Sequence, residues 1–242
     1  PSLGRDKAAA LYSLPVRASV SRLEQYVKCP FAHFIRYGLR PLERKEYKIE
    51  APDLGELFHH SIEGFTNKIA EEKMDWRELK DSDCEAIVEG IMDEILPEYN
   101  HGILLSSHRY KYLSNRLRRI SKRAIWLLTD HIRRSKFNPI GHEISFGLKG
   151  TYPPIEIDLP NGDKMLLEGR IDRGDIYETD EELFVNVIDY KSGVESFDIS
   201  DAWFGLKLQL LVYLEALLEH EQRRTNGKAR PGGIFYFRID DP

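Results

Sequence analysis

The apolar run Phe184-Val185-Asn186-Val187-Ile188-Asp189-Tyr190-Lys191 reads as a buried strand. Side chains in a strand repeat every two residues, which puts Val185, Val187, Asp189 and Lys191 on one face. Upstream, Met165 to Tyr177 forms a second apolar run and carries Glu168-Gly169-Arg170-Ile171-Asp172. The polar link Glu178-Thr179-Asp180-Glu181-Glu182 is short enough for a hairpin connection. Further strands are expected over 142–148, 153–159 and 232–239, with Asn161-Gly162-Asp163 as a turn.

Helical patterns fill much of the rest. Ser21-Arg22-Leu23-Glu24 fits a capping box opening a helix through about Tyr37, stopped by Gly38. Pro52-Asp53 open a second helix. Residues 76–136 are helical in pattern, interrupted near Pro97 and Gly102, and one more helix spans about Asp201 to Arg223. Residues 1–18 read as a linker from a preceding domain, or as a strand of a neighbouring one. Residues 19–242 then form one α/β domain: helices on a mixed sheet, with a helical insertion over about 67–137 before the first strand.

At 242 residues and 41% hydrophobic, the chain is long enough to build a core, and no apolar run approaches a membrane span. Its first residue is proline and no signal peptide is recognisable, so we read it as a piece of a longer protein. Two cysteines, Cys29 and Cys84, are too few for a disulfide framework and suit a reducing, cytoplasmic compartment. A net charge of −5 argues against a DNA-coating protein, though not against a local basic surface. Between Arg109 and Lys136 there are ten lysines and arginines and one acid, Asp130. Leu113, Leu117, Ile120, Ala124, Leu127, Leu128 and Ile132 recur at helical spacing beneath them, giving an amphipathic helix with a cationic face. A solvated face is the plain reading of such a charge run. The scarcity of acids favours phosphate contact, with Arg116, Arg119, Lys122 and Arg123 as the DNA-binding candidates.

The chemistry lies in the two apolar runs. If they pair, Asp172 and Asp189 come close enough to share a divalent cation, with Lys191 beside them. That combination suits phosphodiester hydrolysis, because water attacking an anionic centre requires charge neutralisation and a positioned nucleophile. The plain alternatives are a strand-end surface carboxylate for Asp189, an ordinary lysine for Lys191, and a salt bridge from Asp172 to Arg170 or Arg173.

These residues carry a resemblance. Asp172, then Asp189-x-Lys191, then a helix with Gln209 and Tyr213 resembles the PD-(D/E)xK nuclease superfamily. More narrowly, the chain resembles the RecB-like nuclease domains of bacterial helicase–nucleases, and the C-terminal nuclease domain of AddB-type subunits. Those domains add a Gly-x-x-x-His-x-x-x-Glu helix, matched by Gly55, His59 and Glu63, and Gln-x-x-x-Tyr after the lysine, matched by Gln209 and Tyr213. Asp-x-Lys alone is a weak motif; four motifs in order, from about residue 19 to the end, are specific.

The resemblance implies a restriction-endonuclease-like sheet and a Mg2+-dependent (or Mn2+-dependent) deoxyribonuclease acting on single-stranded DNA from processed double-strand ends. It implies His59, Asp172 and Asp189 as metal ligands, Lys191 as the group that orients or deprotonates the attacking water, and Gln209 and Tyr213 as phosphate- and loop-holding residues. A lone helix histidine is usually structural, and His60 is the rival, but the count from Gly55 selects His59. Glu63 is either a holder of the His59 ring or of a metal-bound water, or a surface residue; Glu143, before a strand, is expected to touch the site through water. In AddB-type relatives a cysteine before Pro-Phe is the first of four ligands of a [4Fe–4S] cluster. The match is Cys29, and the other three thiolates are expected outside this chain; Cys84 is incidental. An AddA-like partner subunit completes a heterodimer. Two other readings stay open: a free-standing iron–sulphur exonuclease of the CRISPR-adaptation type, and a catalytically silent DNA-binding or assembly scaffold.

Overall fold

The computed structural model describes residues 4–12, 15–42 and 49–239. They divide into two units, one from 1–46, 139–189 and 196–236, the other from 47–138, 190–195 and 237–242.

The first unit is built on a sheet. Its strands are β1 (Val16–Ser19), β2 (Asn138–Phe146), β3 (Ile155–Asp158), β4 (Lys164–Glu178), β5 (Leu183–Lys191) and β6 (Ala229–Arg238). The path runs β1-β4-β5-β6, with β2 and β3 also pairing β4. The sheet is mixed, because β1 lies parallel to β4 while β3 and β5 lie antiparallel to it. Residues 16–18, expected in a linker or in a strand of a neighbouring domain, pair together with Ser19 against Met165–Glu168 and belong to this sheet. Helix α1 (Arg5–Tyr12) precedes them. The β-branched residues of β5 explain its centrality: Val185 and Val187 are fully buried and join Ile144, Phe146, Ile171, Leu210, Tyr213 and Leu217 in one core.

Three local departures from the expected elements have clear causes. Ser19, not Ser21, caps α2 (Val20–Lys28), its hydroxyl accepting from the Arg22 amide at 3.2 Å. That helix stops at Cys29 because Pro30 has no amide to donate; α3 (Pro30–His33) and a π-helical turn (Phe34–Leu39) follow. The helix expected from Asp201 is two, α7 (Ile199–Trp203) and α8 (Gln209–Arg224). Between them Gly205 takes φ +77°, a left-handed conformation open to glycine that ends α7.

The second unit is helical: α4 (Ala51–Glu71), α5 (Asp81–Glu98), a 3-10 turn (Tyr99–Leu105) and α6 (His108–Arg134). Pro52 sits in the first turn of α4, and the Asp53 carboxylate accepts from the Glu50 amide at 2.7 Å. Leu57, Ile62, Phe65 and Ile69 of α4, Val88, Met92 and Leu96 of α5, and Leu117, Ile125, Leu128 and Ile132 of α6 form its core. The α6 stripe is rotated slightly from expectation, with Ile125 buried and Leu127 exposed.

Candidate active site

Strands β4 and β5 pair antiparallel with Arg173 opposite Ile188, Gly174 opposite Val187, and so on to Glu178 opposite Leu183. The next residue on each strand beyond Arg173 and Ile188 is an aspartate, Asp172 on β4 and Asp189 on β5. The β4–β5 pairing thus leads to two carboxylates, Asp172 at 8% exposure and Asp189 at 0%, while β5 runs on to Lys191. Both arginines considered as partners of Asp172 face other acids: Arg173 pairs with buried Asp175 at 2.6 Å, and Arg170 with Glu143 at 2.7 Å.

Helix α8 begins at this point. The Glu24 carboxylate of α2 accepts the amides of Leu208 (2.6 Å) and Gln209 (3.1 Å), placing negative charge at the start of α8 as its dipole favours. Gln209 is therefore held at the first helical position. Its Nε2 donates to Oδ1 of Asp189 at 2.8 Å and to the Tyr213 hydroxyl at 3.2 Å. Gln209 and Tyr213 share a face, as their spacing of four residues requires. Burial pushes the Tyr213 phenol up to about 12, and the charges of Asp172 and Asp189 act in the same direction. The Gln209 amide and the backbone of Arg170 oppose that rise. Below the ring lie Phe146, edge-on at 5.8 Å, and Gly169, where a Cβ would come within 3.1 Å of Tyr213 and 2.7 Å of Phe146. Glycine in Glu168-Gly169-Arg170 lets the helix approach the strand.

Glu143, expected to reach the site through water, lies beside Asp172. It adopts φ +51°, a left-handed conformation within β2, which re-aims its side chain as a bulge does. A Glu143 carboxylate oxygen and one of Asp172 lie within 4.8 Å of each other. The sequence signal was only a glutamate before Ile144-Ser145-Phe146.

In the second unit, His59 lies half-buried on α4, its ring meeting that of Tyr190 at 5.8 Å, while His60 is exposed. Tyr190 is the residue between Asp189 and Lys191. Gly55 explains the glycine in the helix motif: a Cβ there would stand 3.1 Å from the Ser192 hydroxyl. The Lys191 carbonyl accepts from the Ile239 amide at 2.8 Å, fixing the strand end that presents the lysine. Glu63 is half-buried one turn after His59.

The basic face of α6 is partly matched by α5. Arg118 pairs with Glu89 and Asp93, both at 2.6 Å, and Lys122 with Glu89 at 2.7 Å. Arg116, Arg119 and Arg123 are exposed. A cavity of about 520 Å³, lined among others by Glu85, Glu89, Arg119, Arg123 and Trp126, is thus of mixed sign. Cys29 is half-buried, and its thiol caps α3 by accepting from the Ala32 amide at 3.4 Å. Cys84 is buried in the other unit near Thr129, and burial raises its thiol. Two cysteines, one in each unit, do not make a four-thiolate set.

Residues 17–242 match the family model of the PD-(D/E)XK nuclease superfamily. The chain is similar to the B subunit of the ATP-dependent helicase/deoxyribonuclease of Alkaliphilus metalliredigens, 52% identical over 241 residues, covering 99% of this chain and 21% of that protein. It is similar to the same-named subunit of Alkaliphilus oremlandii, also 52% identical, over 240 residues (99% and 21%). The match to that of Acetivibrio thermocellus is 44% over 240 residues (99% and 21%). The chain spans about a fifth of the length of these curated relatives.

Proposed function

The chain belongs to the PD-(D/E)XK nuclease superfamily, and we propose that it is the metal-dependent deoxyribonuclease domain of a helicase–nuclease B subunit. In this reading it hydrolyses phosphodiesters of single-stranded DNA, exonucleolytically, as double-strand ends are processed for recombinational repair. It works in the bacterial cytoplasm beside an AddA-like partner subunit. The observation that carries the reading is the pair Asp172 and Asp189, both buried at adjoining strand positions. Two carboxylates so placed repel each other, and a cation relieves that repulsion.

The donors fit a hard divalent ion. Oxygens of Glu143 and Asp172 lie within 4.8 Å of each other, and Asp189 supplies another carboxylate nearby in the register. Oxygen donors with an imidazole suit Mg2+ or Mn2+, so Asp172, Asp189 and His59 are proposed to hold the ion. When bound, it neutralises charge on the scissile phosphate. The chain's own groups do the rest. Gln209 fixes the rotamer of Asp189 through its 2.8 Å bond. Tyr213, with its proton held to about 12, presents a neutral hydroxyl to Gln209. Lys191 Nζ orients the attacking water or takes its proton. Exposed Arg116, Arg119 and Arg123, with Lys122, contact phosphates without reading bases. Cys29 as a cluster ligand needs three thiolates from outside the described residues, and no catalytic step depends on it.

Chelation with EDTA, then re-addition of Mg2+ or Mn2+, tests the proposal on an end-labelled single strand. Cleavage should stop and return; cleavage that persists in the chelator contradicts it.

A further inference from the structure

We propose that the cavity between α5 and α6 is a nucleotide subsite, where one base of a single strand stacks on Trp126 and its phosphate meets Arg123. The inference rests on the single-strand reading above and adds a place where bases, not only phosphates, are held. Asn115, Arg119, Lys122 and Trp126 follow one another at spacings of four, three and four, so they share a face of α6 with Arg123. That face lines the cavity of about 520 Å³, a volume within the range of small-ligand sites.

The indole is both exposed and fixed. Trp126 keeps 41% of its surface in solvent, while its Nε1 donates to Asp81 Oδ2 at 3.1 Å. Arg133 donates to the other Asp81 oxygen at 3.1 Å, so the acceptor is itself held at the start of α5. A ring fixed before binding loses little freedom when a base settles on it.

The charges narrow the ligand. The lining carries four basic side chains, Arg118, Arg119, Lys122 and Arg123, against three acids, Asp81, Glu85 and Glu89. A surplus of one positive charge suits one phosphodiester. Glu89 is answered by Arg118 and Lys122, and Asp81 by Arg133. Arg123 is exposed and, among the described residues, enters no ion pair. It stands one helical turn before Trp126, within reach of the phosphate attached to a base on the ring. Every base has a π face, so such a subsite tolerates any sequence. A duplex keeps its bases stacked on one another, which leaves the single strand as the ligand.

The test separates base from backbone. Binding of the full 242-residue chain to an oligothymidylate is measured in EDTA, beside a strand of equal length built of stable abasic units. Trp126→Ala should weaken the oligothymidylate about tenfold and leave the abasic strand unchanged. Trp126→Phe should keep most of the affinity, because a phenyl ring still stacks. Arg123→Gln should weaken both strands alike, since its contact is with phosphate. Thermal melting checks that each variant is folded. Equal loss on both strands from Trp126→Ala, or loss on neither, overturns the proposal. A parent chain that binds the two strands equally also overturns it. Cleavage of the oligothymidylate by the parent in Mg2+, scored separately, decides the nuclease reading, which survives either of those results.

Discussion

Gln209 and Asp189 meet through a 2.8 Å hydrogen bond that joins the first residue of α8 to the last buried carboxylate of β5. The bond is possible because Glu24 anchors the helix start and Gly205 breaks the chain just before it. Gln209→Leu should lower the cleavage rate roughly tenfold to a hundredfold by misplacing Asp189. Loss of a bond to a buried charged group should also lower stability by about 2 kcal/mol. Rate and denaturant midpoint, measured together, check both.

Tyr213 gives a pH signature. Its phenol is raised from 10 to about 12, so the folded state holds this proton more tightly than the unfolded chain. The associated stability is fully present below pH 10 and is lost as pH rises toward about 12, amounting to at most about 2–3 kcal/mol. Tyr213→Phe should therefore show a shallower fall in melting temperature across that alkaline window. The same variant should leave the rate profile below pH 10 unchanged in shape.

Gly169→Ala tests the close approach of β4 and α8. The new methyl would press on Phe146 at 2.7 Å and Tyr213 at 3.1 Å. Overpacking of this kind costs about 1–3 kcal/mol. Chemical denaturation should register that loss, with activity falling because Tyr213 and Gln209 move together.

The two apolar runs are enough to foresee β4 and β5, because alternation fixes which residues share a face; the register that sets Asp172 and Asp189 one step beyond Arg173 and Ile188 comes from the pairing itself. The break before Gln209 is not legible, since Ala202, Leu206, Leu210 and Tyr213 keep a helical spacing across it, and the φ of Gly205 ends α7. The placement of Glu143 beside Asp172 is not legible for a similar reason: it goes with a left-handed conformation in a non-glycine residue, which no periodicity announces. On α6 the buried Ser114, Ser121 and Thr129 interrupt the apolar stripe, so periodicity places the inward face slightly off. The cationic face is legible, but its neutralisation by Glu89 and Asp93 is not, because those acids come from another helix.

That partial neutralisation sharpens a salt experiment. Replacing Arg116, Arg119 and Arg123 with glutamine should weaken single-strand binding uniformly across sequences. It should also flatten the salt dependence, by about 0.7 in logarithmic slope for each phosphate no longer neutralised. Arg118→Gln should mainly reduce stability, because its charge already serves α5. An unchanged slope in the triple variant would mean that the face is only solvated.

Cys29 separates the subfamily reading from the catalytic one. In the full-length protein, Cys29→Ala should lower iron content and increase protease sensitivity. Full retention of iron would exclude Cys29 as a ligand and leave the aspartate chemistry untouched.

The most direct measurement is the rate at which the Asp189→Ala chain degrades an end-labelled single strand in Mg2+, beside a circular dichroism spectrum and a binding isotherm. Asp189 is fully buried at the end of the β4–β5 ladder and bonded by Gln209. The account predicts a fold and DNA affinity close to the parent's, with cleavage lowered by about a thousandfold or more. Substantial Mg2+-dependent cleavage by a folded Asp189→Ala chain would contradict it.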